Sequence, residues 1–369
     1  MRMGDKRLDL PSARLSRVRY LARLIVFSLC SVSIPACSSP PGEHLAKDQH
    51  DTLGCGLCGG FQEAITLASG LSEPAMVAVD ALNVYWGEAS GNVMSIPTGG
   101  GTPTTLATGQ GDVGGLAPLY DSLSPTIVYP DPTRPDFTLS ASSLVFWAGT
   151  AVEGMEVLPK VGTPFDVGPV PEQNDPYAVA VDWVNVYWTY YPRHSGHGAV
   201  MMAPLRGGSP VTLSSGGLPT GIAVDATSVY WGDEDLGVMK KPIAGGPAVT
   251  LASGYSAVAL ALDSIPVAGG NAANVYWTDA AGSVMTVPVS GGTPVTLASG
   301  QGWPAAIAVD STAVYWVDFT DGTVEKLPFG QEIPTALASN QDAPCGIAVD
   351  STSVYWTNYD GGTLMKTAK

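Results

Sequence analysis

The chain has 369 residues, with 33 Asp or Glu against 17 Lys or Arg and a formal charge of −16. A body this acidic is not expected to bind nucleic acid or an anionic membrane through its own surface, whereas cationic partners and divalent metals are electrostatically favoured. Five cysteines over this length do not make a disulfide scaffold.

The first 36 residues place Arg14, Arg17, Arg19 and Arg23 ahead of the apolar run Leu24 to Leu29 and then small residues up to Cys37. That order of basic, apolar and small residues is expected of an export signal, and the apolar run is too short to span a bilayer. The segment carries seven Lys or Arg and two Asp, so its removal takes the formal charge from −16 to −21. Ile34-Pro35-Ala36-Cys37 resembles a bacterial lipobox, which implies lipidation of Cys37, although Pro35 departs from the usual residue. A plain secretory signal cut nearby is the alternative. Residues 37–60 read as a polar, Gly-rich tether. Within it Cys55 and Cys58 form a CxxC, read as a small local disulfide because no thioredoxin-like βαβ pattern surrounds it and no second ligand pair suggests zinc.

From residue 61 onward the chain repeats itself. Aligned tryptophans fall at Trp86, Trp147, Trp188, Trp231, Trp277, Trp316 and Trp356, with spacings of 61, 41, 43, 46, 39 and 40. A period near 40 made only of short β-type runs indicates propeller blades. The unit is clear in "PAAIAVD", "AVYWVD", "GTVEKLP" and "IPTALAS" between residues 304 and 339, four runs bounded by Gly, Pro, Asp or Ser. The expected fold is therefore an all-β, seven-bladed propeller of four-stranded blades over residues 61–369. The last blade contains only three runs, and the missing fourth occurs at Ile65 to Gly70, so the N-terminal strand is expected to close the ring. Tyr and Trp of each second strand are expected to fill the wedges between blades.

The first run of each blade ends in Asp80, Asp121, Asp182, Asp225, Asp263, Asp310 or Asp350, read as corner residues accepting turn amides. Longer gaps after Asp121 and Asp263 place insertions at 122–142 and 264–273 on one face of the disc. The opposite face collects Glu73, Glu88, Asp112, Glu172, Asp175, Asp233, Glu234, Asp235, Asp279, Asp318, Asp321, Asp342 and Asp360, with Arg193 as its main basic residue. These acids support three readings: a solubilising surface, a docking face for a cationic partner, or a calcium site. The nearest approaches to calcium ligation are Asp233 and Asp235 in "GDEDLG" and Asp318 and Asp321 in "DFTDG", and neither fits an EF-hand loop. The stretch "TYYPRHSGHG" at 189–198 departs most from the repeat, and Tyr190, Tyr191, Arg193, His194 and His197 are its candidate ligand-binding residues. Its aromatic rings suit a sugar or peptide, while HxxH without a third ligand is a weak metal motif.

"NVYWTDAAGSVMTVPVSGGTPVTLASG" and "AVDWVNVYWT" resemble the YWTD repeats of the low-density-lipoprotein receptor family and, more loosely, NHL-type propellers. The other copies read YWGE, YWTY, YWGD, YWVD and YWTN, and the receptor domain has six blades against the seven counted here. The resemblance implies an extracytoplasmic recognition propeller and stops there; the N-terminal segment adds the expectation that it is exported and either lipid-anchored at the cell envelope or secreted. It is expected to act as a monomer that binds a protein, peptide or glycan. Related propellers include lactonases and lyases, so a calcium-dependent hydrolase or lyase using the acidic loops is the alternative; a structural envelope protein without a specific ligand is a third class. The sequence has no G-x-S-x-G elbow, and Cys345 has no obvious histidine partner.

Overall fold

The structure is a computed structural model that describes residues 64–111, 113–119, 144–149, 154–159, 165–169, 174–182, 184–192, 197–205, 209–263 and 273–369. Cys37, Cys55, Cys58 and the inserted segments at 122–142 and 264–272 lie outside the described residues. Residues Phe61–Lys369 form one compact unit.

The strands begin with β1 (Ile65–Ser69). Blade 1 follows as β2 (Pro74–Val79), β3 (Asn83–Glu88), β4 (Val93–Pro97) and β5 (Thr104–Ala107). Blade 2 contains β6 (Val113–Leu119), β7 (Leu144–Gly149), β8 (Gly154–Pro159) and β9 (Phe165–Pro169). Blade 3 contains β10 (Asn174–Val181), β11 (Asn185–Pro192), β12 (Ala199–Pro204) and β13 (Val211–Ser215). Blade 4 is built of β14 (Pro219–Val224), β15 (Ser228–Asp233), β16 (Gly237–Pro242) and β17 (Val249–Ala252), and blade 5 of β18 (Ala257–Leu262), β19 (Asn274–Asp279), β20 (Ser283–Pro288) and β21 (Val295–Ser299). Blade 6 comprises β22 (Pro304–Val309), β23 (Ala313–Asp318), β24 (Thr323–Pro328) and β25 (Thr335–Ala338). The remaining strands are β26 (Pro344–Val349), β27 (Ser353–Asn358) and β28 (Thr363–Ala368).

Hydrogen bonding groups these strands into seven four-stranded antiparallel sheets. Six are continuous in sequence, and the seventh is composite, ordered β1-β28-β27-β26. In that sheet Ile65 faces Lys366 and Ser69 faces Thr363, so a strand from the start of the unit completes the blade at its end. The first strands of successive blades touch one another in turn, and β26 meets β2. Their backbones come so close that only glycine fits at some positions: a Cβ on Gly346 would stand 2.5 Å from the Ala75 carbonyl oxygen, and one on Gly221 2.9 Å from the Leu260 nitrogen.

Between blades the wedge is filled by a repeated aromatic pair. Tyr85 packs in one cluster with Trp147, Tyr187 with Trp231, Tyr230 with Trp277, Tyr276 with Trp316, Tyr315 with Trp356 and Tyr355 with Trp86. Successive residues of a strand point to opposite faces, so the Tyr of one blade meets the Trp of the next. The threonine after the tryptophan adds a polar tie across the same wedge. Thr189 Oγ1 donates to the Thr220 carbonyl at 2.7 Å and Thr357 Oγ1 to the Ala75 carbonyl at 2.6 Å.

The corner aspartates hold both their own turn and the wedge tyrosine. Asp80 Oδ1 accepts the amides of Leu82 and Asn83 at 2.8 Å each, and Oδ2 accepts the Tyr85 hydroxyl at 2.8 Å. Asp182, Asp225, Asp310 and Asp350 bind Tyr187, Tyr230, Tyr315 and Tyr355 in the same way. The carboxylate thus links a β-turn to a buried ring one strand away, a bond the linear spacing alone does not reveal. Burial and the neighbouring Asp80 push the Tyr85 hydroxyl far above its usual range, so it stays a donor.

Two outcomes follow. Tyr85→Phe leaves the ring in place and removes one hydrogen bond to a charged acceptor, so chemical denaturation should show a loss of about 1.5–3 kcal/mol. Deleting residues 61–70 removes β1 and turns β28 into an open edge; a thermal melt should fall by several degrees, because about 1 kcal/mol shifts a chain of this size by roughly 2 °C.

Candidate binding site

The blades have two unlike rims. The lower rim carries the loops between first and second strands, and the upper rim carries the loops between second and third strands together with the connections between blades. All five lysines among the described residues belong to the lower half of their blades, where their partners in the ladder lie toward the start of the second strand. Lys240 Nζ donates to the Val289 carbonyl at 2.9 Å, Lys366 Nζ to the Thr98 carbonyl at 2.9 Å, and Lys369 pairs with Asp310. The bonds from Lys369 and Thr312 outweigh burial at Asp310 and hold its carboxyl down at about 2. No described lysine or arginine stands at the upper rim to offset its carboxylates.

Many of those upper carboxylates are committed to the backbone. The second residue after the aligned tryptophan is Glu88, Gly149, Tyr190, Asp233, Asp279, Asp318 or Asn358, each facing the first residue or the proline of the neighbouring inner strand. Asp233 is buried, and it accepts the amides of Asp235 and Leu236 at 2.9 Å and that of Leu218 at 3.1 Å. Asp318, also buried, accepts the amides of Trp303, Thr320 and Asp321 at 2.9–3.1 Å. Asp321 is exposed and accepts the Gly302 amide, and Asp235 is exposed beside Asp233. The four candidate calcium ligands are therefore split between blades 4 and 6, with blade 5 between them. Among the described residues no three His, Cys, Asp or Glu side chains converge as a metal site.

The stretch at 189–198 is not a simple loop: its first half is the end of β11. Tyr190 takes the position that Asp233 and Asp279 hold in their own blades, fully buried and edge-on to Trp188 at 6.1 Å. Tyr191, the next residue, is half-buried and reaches the rim. Arg193 and His194 lie outside the described residues, and His197 is exposed on the return to β12.

One residue further along, the ladder is extended by bonds from Glu234, Ala280, Phe319 and Tyr359 amides to the Leu218, Ser256, Trp303 and Ala343 carbonyls. These positions differ from blade to blade, and several carry partly exposed aromatic or acidic side chains: Tyr191, Glu234, Trp303, Phe319 and Tyr359. Across neighbouring blades they touch in pairs. Tyr359 donates its hydroxyl to Glu73 at 2.8 Å, and Tyr191 donates to Glu234 Oε2 at 3.3 Å. Tyr177 on the inner strand of blade 3 tilts against Tyr191 with ring centroids 6.0 Å apart. Glu73 has φ 47°, a left-handed conformation uncommon for a non-glycine residue.

Glu234 is the most perturbed acid of this rim. Burial first and the adjacent Asp235 second push its carboxyl up to about 7. Its Oε1 is buried without a hydrogen-bond partner. Sequence reasoning placed Glu234 on the acidic face but assigned it no role, and passed over Tyr177, Trp303, Phe319 and Tyr359. The usable signal was the column of residues just after the strand-closing acid, where the repeat stops repeating.

Because the folded carboxyl titrates above its unfolded value of about 4.5, only the unfolded chain ionises between roughly pH 4.5 and 7. Glu234 therefore adds nothing to pH dependence below 4.5, and its cost grows through that window and is full above 7. Denaturation of Glu234→Gln beside the unaltered chain should show the variant gaining relative stability from pH 4 to pH 8.

No family model matches the chain, and no curated protein sequence does. Solved structures are similar in fold. Virginiamycin B lyase from Staphylococcus aureus superposes with a TM-score of 0.62 at 12% identity, covering 83% of this chain and 98% of that one. The WD40 β-propeller domain of Doa1 gives 0.62 at 13% identity, covering 84% and 97%. The nidogen/laminin complex matches with a TM-score of 0.49 at 24% identity over 61% of this chain and 88% of that one. The likeness to the lyase and to Doa1 places the chain among β-propeller proteins with four-stranded blades and goes no further, since fold alone does not carry activity.

Proposed function

We propose that the chain is an exported recognition propeller, held by lipid at Cys37 at a bacterial envelope, that binds a cationic protein or peptide on its upper rim. The observation that carries this reading is the placement of the cations, which leaves the upper-rim carboxylates without a described basic neighbour. Described lysines occupy the lower half of the blades, whereas exposed Asp235, Asp342 and Asp360 share the upper rim with half-buried Tyr191, Trp303, Phe319 and Tyr359. Aromatic anchors flanked by carboxylates suit basic side chains, which gain both ionic and cation–π attraction there. Like charge gathered on one rim also steers a cationic partner to it.

The test separates the rim from net charge. Binding of the purified chain to immobilised polylysine is compared between a triple variant, Asp235→Asn with Asp342→Asn and Asp360→Asn, and a lower-rim triple, Ala226→Lys with Ser311→Lys and Ser351→Lys. Both change formal charge equally. The upper variant should weaken binding by roughly tenfold or more and the lower one by less than about threefold, since screened interactions fade beyond ~8–10 Å. Equal weakening would reduce the rim to a general acidic surface.

A further inference from the structure

Resting on that reading, we infer that Tyr177, Tyr191 and Glu234 form a seat for a single basic side chain of the partner, at the junction of blades 3 and 4. The two tyrosines come from β10 and β11, and Glu234 follows β15 in the next blade, so each side of one wedge contributes. The Tyr177 and Tyr191 rings stand 6.0 Å apart at 38°, a tilted aromatic wall, and the Tyr191 hydroxyl meets Glu234 Oε2 at 3.3 Å. That bond is long for a hydroxyl donor to a carboxylate, for which about 2.5–2.7 Å is usual. The other oxygen, Oε1, is covered and has no partner at all.

An acid in this condition is poorly satisfied where it lies. A buried acceptor without a partner has lost its hydration for nothing, and rotating the side chain outward gives up only the long bond to Tyr191. An arriving ammonium or guanidinium then finds a carboxylate ready to turn toward it, with tyrosine faces alongside to cover its alkyl stem and attract its charge. No other described acid of the rim combines these features. Asp233 takes backbone amides on both oxygens; Asp318 Oδ2 is also buried without a partner, but three backbone amides on its Oδ1 tie that carboxylate to the scaffold; and Glu73, which receives a bond from Tyr359, is exposed.

The charged and titratable groups that act on Glu234 are Asp235 on its own loop and the Tyr191 hydroxyl across the wedge, and Asp233 and Asp235 act on Tyr191 in turn. Burial first and then Asp235 and Asp233 push the Tyr191 hydroxyl above its usual range, so it stays a donor, and cation binding should strengthen from pH 6 to pH 8 as Glu234 gives up its proton.

The probe is a short glycine peptide blocked at both ends and containing one lysine, followed by nuclear magnetic resonance titration of the full chain. The arginine counterpart and the Nε-acetyl-lysine peptide are run beside it. Saturable binding of a charged peptide, with at least tenfold loss on acetylation, is expected. Glu234→Gln, nearly isosteric, should lose at least tenfold, and Tyr177→Leu at least threefold, while Glu332→Gln, at an exposed acid between β24 and β25, changes affinity less than twofold. Undiminished binding by Glu234→Gln, or equal loss in Glu332→Gln, overturns the seat. Should the unaltered chain ignore both charged peptides yet hold polylysine through its upper rim, the seat fails and the cationic-partner reading stands. If polylysine binding is also independent of the rim, both fail.

Discussion

The structure depends on a tyrosine from one blade and a tryptophan from the next filling the wedge between them. A sheet twisted like a propeller blade meets its neighbour along a tapering gap, and a ring stands only if every gap is filled to the density of a protein core. The pair does this with two rings whose burial and mutual contact are favourable, aromatic pairs adding about 0.5–1.5 kcal/mol beyond area. The tyrosine hydroxyl cannot be left unpaired inside such a wedge, and the corner aspartate at the start of the same hairpin satisfies it. That aspartate is fixed by turn amides, so turn, strand and wedge are set by one carboxylate.

This coupling explains what was readable in the sequence and what was not. Val-Tyr-Trp followed by a polar residue recurs because each of its side chains has a fixed neighbour, and a recurring constraint leaves a recurring word. The closing strand was legible at Ile65 to Gly70 because its sequence repeats the fourth run of other blades, and β1 does pair with β28. The ties between elements were not legible. Gln110, Gln301 and Gln341 accept the indole nitrogens of Trp147, Trp316 and Trp356, yet each lies 15 or 37 residues before its tryptophan. Nothing in the linear order marks them until the inner strand and its preceding loop are placed beside the tryptophan. Tyr190 shows the opposite error: an aromatic doublet looked like a binding loop, but one member replaces a strand-closing acid and is buried.

The same logic separates structural from functional acids. The acids that close the second strand in blades 4, 5 and 6, Asp233, Asp279 and Asp318, are held by backbone amides, which tie all three to the scaffold and occupy both oxygens of Asp233 and Asp279. Position 234 is different because it lies one step beyond the repeated acid, where no scaffold contact prescribes the residue. Ala280 and Phe319 hold the corresponding place in the next two blades. Freedom from the scaffold is a condition for specificity, since a surface identical in every blade offers each ligand equivalent sites and no single address.

Net charge alone therefore misjudges the rim. Much of the acidity counted in the sequence is spent on fixing turns and receiving tyrosine hydroxyls, and it is present whether or not anything binds. The acidity free to respond is concentrated where Tyr191, Glu234 and Asp235 meet. Burial and Asp235 both disfavour the ionised form of Glu234. A cation placed nearby opposes both effects, so binding and proton release favour one another, and by linkage the dependence runs equally in both directions. A rim arranged in this way is less negative when empty than its composition suggests, and it gains charge as a basic group arrives.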